Sequence, residues 1–250
     1  MSMSGRRIII IGATSAIAQH CARHWIGEAA AVLLVGRDQN RLDAVADDLR
    51  VRGPQCTIRT ATVDFTDPAA IKELVASFVA DGAIDLALIA HGDLPDQAAC
   101  QDDLDRCRGA LELNAVSAAL FMEALAGYME RAGAGRLAVI GSVAGDRGRK
   151  SNYIYGAAKG LLERYAQGLQ HRLAPSGASV CLVKPGPTLT PMTSHLQGTG
   201  PGLAAPEDVA SAIVRGIEKR KPVIYAPGKW ALIMLVIRHL PRFVFNKLDI

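Results

Sequence analysis

Three side chains in the second half of the sequence have the types and the spacing for acid–base chemistry. Ser142 closes a short aliphatic run, and Tyr155 and Lys159 follow it, four residues apart. Because residues i and i+4 share one face of a helix, the Lys159 ammonium group can lie beside the Tyr155 phenol. At ~4 Å and an effective dielectric constant of ~20, this pair would contribute ~4 kcal/mol and lower the pKa of Tyr155 from ~10 towards ~7. Such a phenol can exchange a proton at neutral pH, whereas Tyr153 has an alanine at the matching position.

A turn near the N-terminus is a candidate phosphate-binding site. The segment Ile11-Gly12-Ala13-Thr14-Ser15-Ala16-Ile17-Ala18 joins a predicted strand directly to a predicted helix. At such a turn, backbone N–H groups and the positive end of the helix converge on one point. The candidate binding residues are Gly12, Thr14, Ser15, Ala16 and Ile17. Because only one of the usual three glycines is present, an ordinary tight turn is the alternative interpretation.

Arg37 follows the second predicted strand, where a dinucleotide-binding fold contacts the adenosine ribose. Its guanidinium group can bind a 2′-phosphate, whereas a carboxylate at the strand end would favour a free 2′-hydroxyl. We therefore predict NADP (NADPH) rather than NAD as the cofactor. In the alternative interpretation Arg37 is a solvated surface cation and Asp38 caps the next helix, a capping role that is compatible with either interpretation.

Strands and helices must alternate to position these residues, and the sequence has that pattern. Short aliphatic runs alternate with longer amphipathic segments, which predicts repeated βα units. The predicted strands cover residues 7–11, 31–35, 57–63, 84–89, 136–140, 179–183 and 222–225. The predicted helices cover residues 15–29, 38–50, 67–80, 103–131, 153–173 and 206–219. Most strands are apolar on both faces, so we predict an α/β fold: a single-domain, Rossmann-type, doubly wound parallel sheet of about seven strands with helices on both faces.

Composition excludes several classes of protein. The 250 residues carry a formal net charge of +4, too little for the dense basic face of a nucleic-acid-binding protein. The five cysteines are odd in number and contain no C-x-x-C pair, so neither disulfides nor a zinc site is expected. His20 and His24 lie one helical turn apart without acidic or cysteine partners nearby, so no metal site is predicted. We expect no signal peptide and no membrane-spanning segment.

Over essentially its whole length the sequence resembles the short-chain dehydrogenase/reductase family. The resemblance rests on a glycine motif, an active-site tetrad and a proline-glycine turn with a downstream threonine. These motifs map to Gly12, Ala16, Ala18, Asn114, Ser142, Tyr155, Lys159, Pro185, Gly186 and Thr190. Asp64 matches the position that contacts adenine in relatives, and the other expected cofactor contacts are Ala90, His91, Gly92 and Thr188.

The resemblance implies an NADP-dependent oxidoreductase that interconverts a ketone and a secondary alcohol. Tyr155 would be the general acid in carbonyl reduction, and Ser142 would hold the substrate oxygen. Lys159 would bind the nicotinamide ribose and lower the pKa of the phenol, while Asn114 would hold a water that relays protons to Lys159. Two alternatives stay open: a non-catalytic dinucleotide-binding regulator or scaffold, and an epimerase or dehydratase of the same fold.

Two stretches depart from the family's pattern. Ala16 and Ala18 replace two motif glycines, and the methyl group of Ala16 would crowd the diphosphate. The family's Asn-Asn-Ala-Gly stretch reads Ile89-Ala90-His91-Gly92, so the usual asparagine is replaced. His91 would either contact the cofactor or be a hydrogen-bonded structural histidine.

Two further segments bear on the substrate. Residues 186–205 are irregular and rich in Gly, Pro, Thr and Ser, for which we expect a functional lid or a mobile loop. Residues 229–250 form an apolar and basic C-terminal tail of the NADP-binding domain, which covers residues 1–228. One interpretation is that the tail packs on protein, either on its own domain or on a second copy of the chain. The alternative is that it lies on a membrane surface.

Three stretches together resemble the family branch that contains the reductase of decaprenylphosphoryl 2-keto sugars: Gly-Ala-Thr-Ser-Ala-Ile-Ala from residue 12, the pair His91-Gly92, and the tail. The expected substrate is therefore a small-molecule or lipid-linked carbonyl compound, and no nucleic-acid partner is predicted. Helices 103–131 and 153–173 correspond to those that pair in relatives, which predicts a homo-oligomer, a dimer or tetramer. The predicted location is the cytoplasm, with peripheral contact at the inner face of the membrane as the finer alternative.

Overall fold

A seven-stranded parallel sheet forms the centre of the computed structural model, which describes residues 5–196 and 202–248. The strands are β1 (Arg6–Ile11), β2 (Ala29–Gly36), β3 (Thr57–Thr62), β4 (Leu86–Ile89), β5 (Arg136–Ile140), β6 (Ser179–Pro185) and β7 (Val223–Ala226). They are arranged in the order β3-β2-β1-β4-β5-β6-β7. The order reverses between β1 and β4, and in open parallel sheets ligands bind outside the carboxyl ends of the strands at such a point.

Ten α-helices lie in the described part of the chain. They are α1 (Ala16–Trp25), α2 (Gln39–Arg52), α3 (Pro68–Ala80), α4 (Gln97–Asp102), α5 (Leu104–Leu111), α6 (Ser117–Ala132), α7 (Tyr153–Leu173), α8 (Pro206–Glu218), α9 (Lys229–His239) and α10 (Arg242–Phe245). A π-helical turn, Glu112–Val116, joins α5 to α6, and two 3₁₀ turns, Val143–Gly145 and Pro191–Leu196, adjoin the candidate site.

Alternating side chains of β1 point into two separate hydrophobic cores. Ile8 and Ile10 pack with side chains of α1, α2 and α8, whereas Ile9 and Ile11 pack with those of α3, α6 and α7. All four isoleucines are buried. Successive side chains of a strand lie on opposite faces, so a strand that is apolar throughout needs helices on both sides of its sheet. The predicted doubly wound α/β fold is confirmed.

The predicted elements differ from the observed ones mainly where one helix is interrupted. All seven predicted strands are present, with ends shifted by one or two residues, and the predicted helix 153–173 matches α7. The predicted helix 103–131 is instead divided into α5, the π turn and α6. The short helix α4 was not predicted, because six residues are too few to show a helical period.

The stretch Leu104–Ala132, which includes the π turn, is long and apolar enough by length and composition to cross a membrane. Half of its most apolar window is buried inside the structure. A buried core helix of a soluble protein passes the same test, so this is weak evidence for a membrane span. Helix α6 packs on α3, α7 and β5.

A buried cluster of charges joins three segments at the end of the sheet. The Lys184 ammonium group at the end of β6 is 2.9 Å from Glu163 Oε2 of α7 and donates a second hydrogen bond to Asp146, whose carboxylate is fully buried. The Tyr225 hydroxyl of β7 donates to Asp146 Oδ2 at 2.9 Å. Burial alone would lower the pKa of Lys184, but its two acidic partners outweigh burial and raise that pKa.

The C-terminal tail packs against the domain through one face. Trp230 and Met234 of α9 are buried against Val143, and a Cβ atom on Gly186 would lie 1.9 Å from Trp230 Nε1. The Arg147 guanidinium group donates to the carbonyls of Ile237 at 2.6 Å and Leu240 at 2.7 Å. Other apolar side chains of the tail are exposed: Leu232, Ile233, Leu235 and Val236 of α9, Phe243 of α10, and Leu248.

Replacing Lys184 by Met should lower the free energy of unfolding by about 3–5 kcal/mol, because Asp146 and Glu163 would keep their negative charges without the buried cation. Chemical denaturation measures the change. Lys72→Met is the control, since Lys72 is exposed on α3. Equal stability losses in the two variants would contradict a structural role for the cluster.

Candidate active site

A cavity of about 650 Å³ lies at the carboxyl ends of the strands, at the β1/β4 switch point. Residues predicted from distant parts of the sequence line it together. They are Gly12, Thr14, Ser15, Ala16, Ile17, Arg37, Ala90, His91, Gly92, Ser142, Tyr155, Lys159, Pro185, Gly186, Thr188 and Thr190. Two predicted site residues, Asp64 and Asn114, are not among the lining residues.

Ser142, Tyr155 and Lys159 meet where β5 and α7 adjoin. Ser142 follows the end of β5 and caps the 3₁₀ turn, with its Oγ accepting a hydrogen bond from the Ala144 N–H at 3.1 Å. Ser142 and Tyr155 line the same cavity, and Ser142 acts to lower the pKa of the Tyr155 phenol. The Lys159 Nζ donates to the Ile140 carbonyl at 3.0 Å and lies 5.6 Å from the centre of the Tyr155 ring. The two hydroxyls and the ammonium group therefore surround one end of the cavity.

The expected lowering of the Tyr155 pKa is wrong for this structure. Burial raises the pKa of Tyr155 to about 12, and the opposing effect of Ser142 is smaller. Burial also lowers the pKa of Lys159 to about 8. The prediction considered the attraction between the two groups and left out the cost of burying each charge, which is the larger effect here. At neutral pH Tyr155 is therefore a neutral phenol that carries a proton to donate.

Asn114 lies beneath the cavity in the π-helical turn. Its Oδ1 accepts a hydrogen bond from the Asp93 N–H at 2.8 Å, and its Nδ2 donates to the Ala110 carbonyl at 3.0 Å. Gly92 separates it from Lys159: a Cβ atom on Gly92 would lie 2.8 Å from Asn114 Oδ1 and 3.5 Å from Lys159 Nζ. Single π turns are common at functional sites. The water-holding role of Asn114 stays a prediction.

Gly12 makes the turn between β1 and α1 possible. Its φ is +78°, and a Cβ atom would lie 2.5 Å from the backbone nitrogen of His91. Only glycine satisfies both the angle and the contact. Helix α1 begins at Ala16 and has no acidic residue in its first turn, so its N-terminus can receive an anion. Ala16 lines the cavity, whereas Ala18 is buried in the core.

Arg37 and Arg41 line the same cavity, and neither guanidinium group has an ion-pair or hydrogen-bond partner among the described residues. The Asp38 carboxylate caps α2 and accepts a hydrogen bond from the Arg41 N–H at 3.1 Å. The capping role of Asp38 is therefore confirmed. Arg41 was missed in the sequence: it is the third residue of α2, whereas Arg37 lies before the Asp38 cap of that helix.

Asp64 forms a local turn outside the lining of the cavity. Its Oδ1 accepts hydrogen bonds from the N–H and the hydroxyl of Thr66, at 2.8 and 2.7 Å. These hydrogen bonds, with a smaller effect of Arg37, lower the pKa of Asp64. The next residue, Phe65, lines the cavity instead. The predicted contact of Asp64 with adenine stays a prediction.

His91 is buried at the cavity wall, between the rings of Phe65 and Phe121. Its Nε2 lies 2.7 Å from Ser117 Oγ, and the Ser117 hydroxyl itself donates to the Leu113 carbonyl at 2.9 Å. The Nε2 nitrogen must therefore carry the proton, and Nδ1 is an acceptor that is buried without a partner. The structure thus places His91 in a structural hydrogen bond and also in the wall of the cavity.

Sequence reasoning missed several polar and apolar residues of the cavity wall. Arg149 and Asn152, on the loop that enters α7, line it together with Leu94, Phe65 and Met192. The described part of the predicted lid contains the 3₁₀ turn Pro191–Leu196, and residues 197–201 of that stretch lie outside the described residues.

No group of three or more His, Cys, Asp or Glu side chains in residues 5–196 and 202–248 is placed to hold a metal ion. His20 and His24 contact helix α8: His20 Nε2 lies 3.3 Å from Glu207, and His24 Nε2 lies 3.2 Å from Ser211 Oγ.

A parallel sheet with an anion-binding turn at its switch point, and a Ser, Tyr and Lys beside it, is the architecture of a dinucleotide-dependent oxidoreductase. The chain belongs to the short chain dehydrogenase family, which matches residues 6–199. An uncharacterized oxidoreductase of Mycobacterium tuberculosis strain H37Rv is 35% identical over 244 residues, 96% of each chain. An uncharacterized oxidoreductase of Streptomyces coelicolor is 34% identical over 247 residues, 97% of this chain and 96% of the relative.

Solved structures have the same fold. A short-chain dehydrogenase from Burkholderia cenocepacia in complex with NADP matches with a TM-score of 0.82 at 19% identity, over 100% of both chains. A short-chain dehydrogenase from Sphingobium yanoikuyae in complex with NADPH matches with a TM-score of 0.80 at 24% identity, over 95% of this chain and 97% of the other. The family branch predicted from the turn after β1, the His-Gly pair and the tail is not confirmed by these comparisons.

The stability of the protein should fall in mild acid because of His91. Burial, with smaller effects of Lys159 and Arg37, lowers its pKa to about 3. Between that value and the unfolded value of about 6.5, only the unfolded chain binds the proton, so stability decreases by about 1.4 kcal/mol per pH unit as pH falls. Urea unfolding at pH 7.5, 6.5 and 5.5 measures the slope.

His91→Asn should flatten this dependence, and His171→Gln, at an exposed position of α7, should leave it as in the parent protein. The same acid slope in His91→Asn as in the parent would show that another group causes it.

Proposed function

We propose that this chain is an NADP-dependent oxidoreductase that interconverts a ketone and a secondary alcohol. The observation that carries the proposal is one cavity that holds the Ser142, Tyr155 and Lys159 set together with the unpaired guanidinium groups of Arg37 and Arg41. The first three residues suit proton transfer to a carbonyl oxygen, and the arginines suit a phosphate.

The cavity fits a phosphorylated dinucleotide. The turn at Gly12 and the N-terminus of α1 would hold the diphosphate, and Arg37 with Arg41 would bind the 2′-phosphate. The methyl group of Ala16 at the cavity wall replaces a hydrogen atom and would increase the distance of the diphosphate from the helix. When bound, NADPH supplies the hydride, and the solved relatives in complex with NADP and NADPH support this cofactor.

The protein's own part in the reaction is the proton. The Tyr155 hydroxyl is neutral at neutral pH and would donate its proton to the carbonyl oxygen as the alcohol forms. Ser142 lines the same cavity as Tyr155, so its hydroxyl would donate a second hydrogen bond to the substrate oxygen. The Lys159 ammonium group is held by the Ile140 carbonyl, and its positive charge would stabilise the tyrosinate that remains after the transfer.

Tyr155→Phe should reduce kcat by at least about a hundredfold, since general acid catalysis contributes about 10²–10⁴-fold, and should change NADPH affinity only a few-fold. The measurement is NADPH oxidation with a panel of ketones, together with NADPH binding by fluorescence. Tyr153→Phe is the matched control because its side chain is 44% exposed and lies outside the cavity lining. If Tyr153→Phe were the more harmful substitution, the assignment of the acid would be wrong.

Arg37→Ala should remove most of a preference for NADPH over NADH. A charge-assisted hydrogen bond to the 2′-phosphate contributes roughly 1.5–3 kcal/mol, which corresponds to about one to two decades in affinity. Dissociation constants of both cofactors for the parent and for Arg37→Ala measure the effect. Equal affinities in the parent protein would refute the choice of NADP.

We also propose that the exposed face of the tail binds an anionic membrane surface, where a lipid-linked carbonyl substrate would be presented. The inner face of α9 is already covered by the domain, whereas Leu232 and Phe243 are 68% and 71% exposed. The same segment of the chain carries the basic residues Lys229, Arg238, Arg242 and Lys247. A helical surface with exposed apolar side chains and flanking basic ones suits a bilayer interface of negative charge. Self-association through the predicted helices 103–131 and 153–173 stays a separate prediction.

The double variant Leu232→Gln/Phe243→Gln should lose co-sedimentation with anionic vesicles while it keeps its melting temperature, because both side chains are exposed. The matched control is Val51→Gln/Leu104→Gln, at positions that are 84% and 80% exposed elsewhere. Binding should weaken at high salt and with neutral lipid. A parent protein that stays in the supernatant with anionic vesicles at low salt would contradict the proposal. The proposal would also be contradicted if the double variant lost dimerisation but still bound the vesicles.

A further inference from the structure

We propose that Arg149 and Asn152 form a substrate subsite for an anionic group, a carboxylate or a phosphate, with a neighbouring hydroxyl. The Arg149 guanidinium group would bind the anion, and the Asn152 Oδ1 would accept a hydrogen bond that the hydroxyl donates. This inference rests on the proposed function of the same cavity, because it adds a chemical class to the carbonyl substrate.

Arg149 is a cation in the cavity wall without a counter-charge. Its guanidinium group has no ion pair or hydrogen bond within the described ranges, and its Nε is buried without a partner. The neighbouring Arg147 is different, because it donates to two carbonyl groups of the tail and stacks on Phe245. Of these two neighbouring arginines, the one that lines the cavity is therefore the one whose guanidinium group has no partner.

Asn152 supplies the second unpaired group of the same turn. Its Oδ1 is buried without a donor, and its backbone N–H donates to the Arg149 carbonyl at 3.2 Å, which fixes the two residues in one tight turn. Asn152 immediately precedes α7 and lies three residues before Tyr155. The two groups need opposite partners: the Arg149 Nε–H needs an acceptor, and the Asn152 oxygen needs a donor.

An anion is the ligand that best fits the charges of the cavity wall around Arg149. Burial lowers the pKa of Arg149, which means that its charge is partly desolvated without compensation. Asp38 is the one acidic residue among the described lining residues, and its carboxylate already caps α2. The cavity therefore combines Arg37, Arg41, Arg149 and Lys159 with one occupied carboxylate, and such a lining concentrates anions. The adjacent Ser142 and Tyr155 would hold the carbonyl group of the same molecule.

Matched pairs of ketones test the subsite. The pairs are 4-oxopentanoate with its methyl ester, and dihydroxyacetone phosphate with dihydroxyacetone; each pair differs in one anionic group. The readout is the ratio of kcat/KM for the anionic member to that for the neutral member, with NADPH. The parent should prefer the anionic member, and Arg149→Met should reduce the ratio by about ten- to a hundredfold, mainly through KM. The pair that gives the larger ratio in the parent protein shows whether the subsite prefers a carboxylate or a phosphate.

Arg164→Met is the matched control, because it removes one positive charge from an exposed position of α7, outside the cavity lining, and should leave the ratio as in the parent. Asn152→Ala should affect dihydroxyacetone phosphate, which has a hydroxyl, more than 4-oxopentanoate. A ratio that is equal in the parent and in Arg149→Met overturns the subsite, even if all four ketones are reduced.

Calorimetric titration of the same four compounds separates the two proposals. If none is reduced, but the parent binds an anionic member and Arg149→Met binds it at least about tenfold more weakly, the subsite stands and the proposed function fails. If the parent binds both members of each pair equally, or binds none, the subsite is overturned.

Discussion

The buried ion cluster around Lys184 is the constraint on which the geometry of the site depends. Lys184 directly precedes Pro185 and Gly186, Asp146 directly follows the 3₁₀ turn after Ser142, and Glu163 lies one helical turn after Lys159. Removing three charges from water is costly, and the cost is offset only when all partners are in place. The same ion cluster therefore sets the relative positions of the three segments that carry the proton-transfer residues and the proline-glycine turn.

The cluster also connects the site to the C-terminal tail. Tyr225 donates to Asp146, and the next helix places Trp230 directly on Gly186, where no side chain larger than hydrogen fits. Arg147, adjacent to Asp146, binds the carbonyls at the end of α9. The tail is thus part of the wall behind the cavity as well as an exposed surface. Truncation would disturb the site together with any surface contact, which is why exposed point substitutions test the tail more cleanly.

Much of the fold and part of the site could be predicted because their signals are local. Strands that are apolar on both faces identify a parallel sheet that is covered by helices on both sides. Tyr155 and Lys159, four residues apart, both lie in α7, as their spacing predicted. The π turn at Asn114 could not be predicted, since it adds one residue to a helical turn without altering the composition. Arg149 and Asn152 were missed for a related reason: their importance comes from unpaired atoms, and pairing is decided by residues distant in the sequence. The pKa of Tyr155 was predicted in the wrong direction because spacing gives proximity and says nothing of burial.

The distribution of unpaired polar atoms indicates where the protein leaves bonding capacity for ligands. In the described part of the chain, buried side-chain atoms without a hydrogen-bond partner occur in Arg7, Trp25, His91, Gln97, Arg149 and Asn152. Three of these six residues line the one cavity that also holds Ser142 and Tyr155. Native proteins pair nearly all buried polar groups, since an unpaired one costs about 1–3 kcal/mol. We infer that bound molecules supply the missing partners of three groups: the acceptor of His91, the donor of Arg149 and the acceptor of Asn152. These atoms lie in the cavity wall and not in the cores, so a bound ligand can pair with them and offset the free-energy cost of leaving them unpaired. The arrangement therefore favours ligands that have both an anionic group and hydroxyl donors.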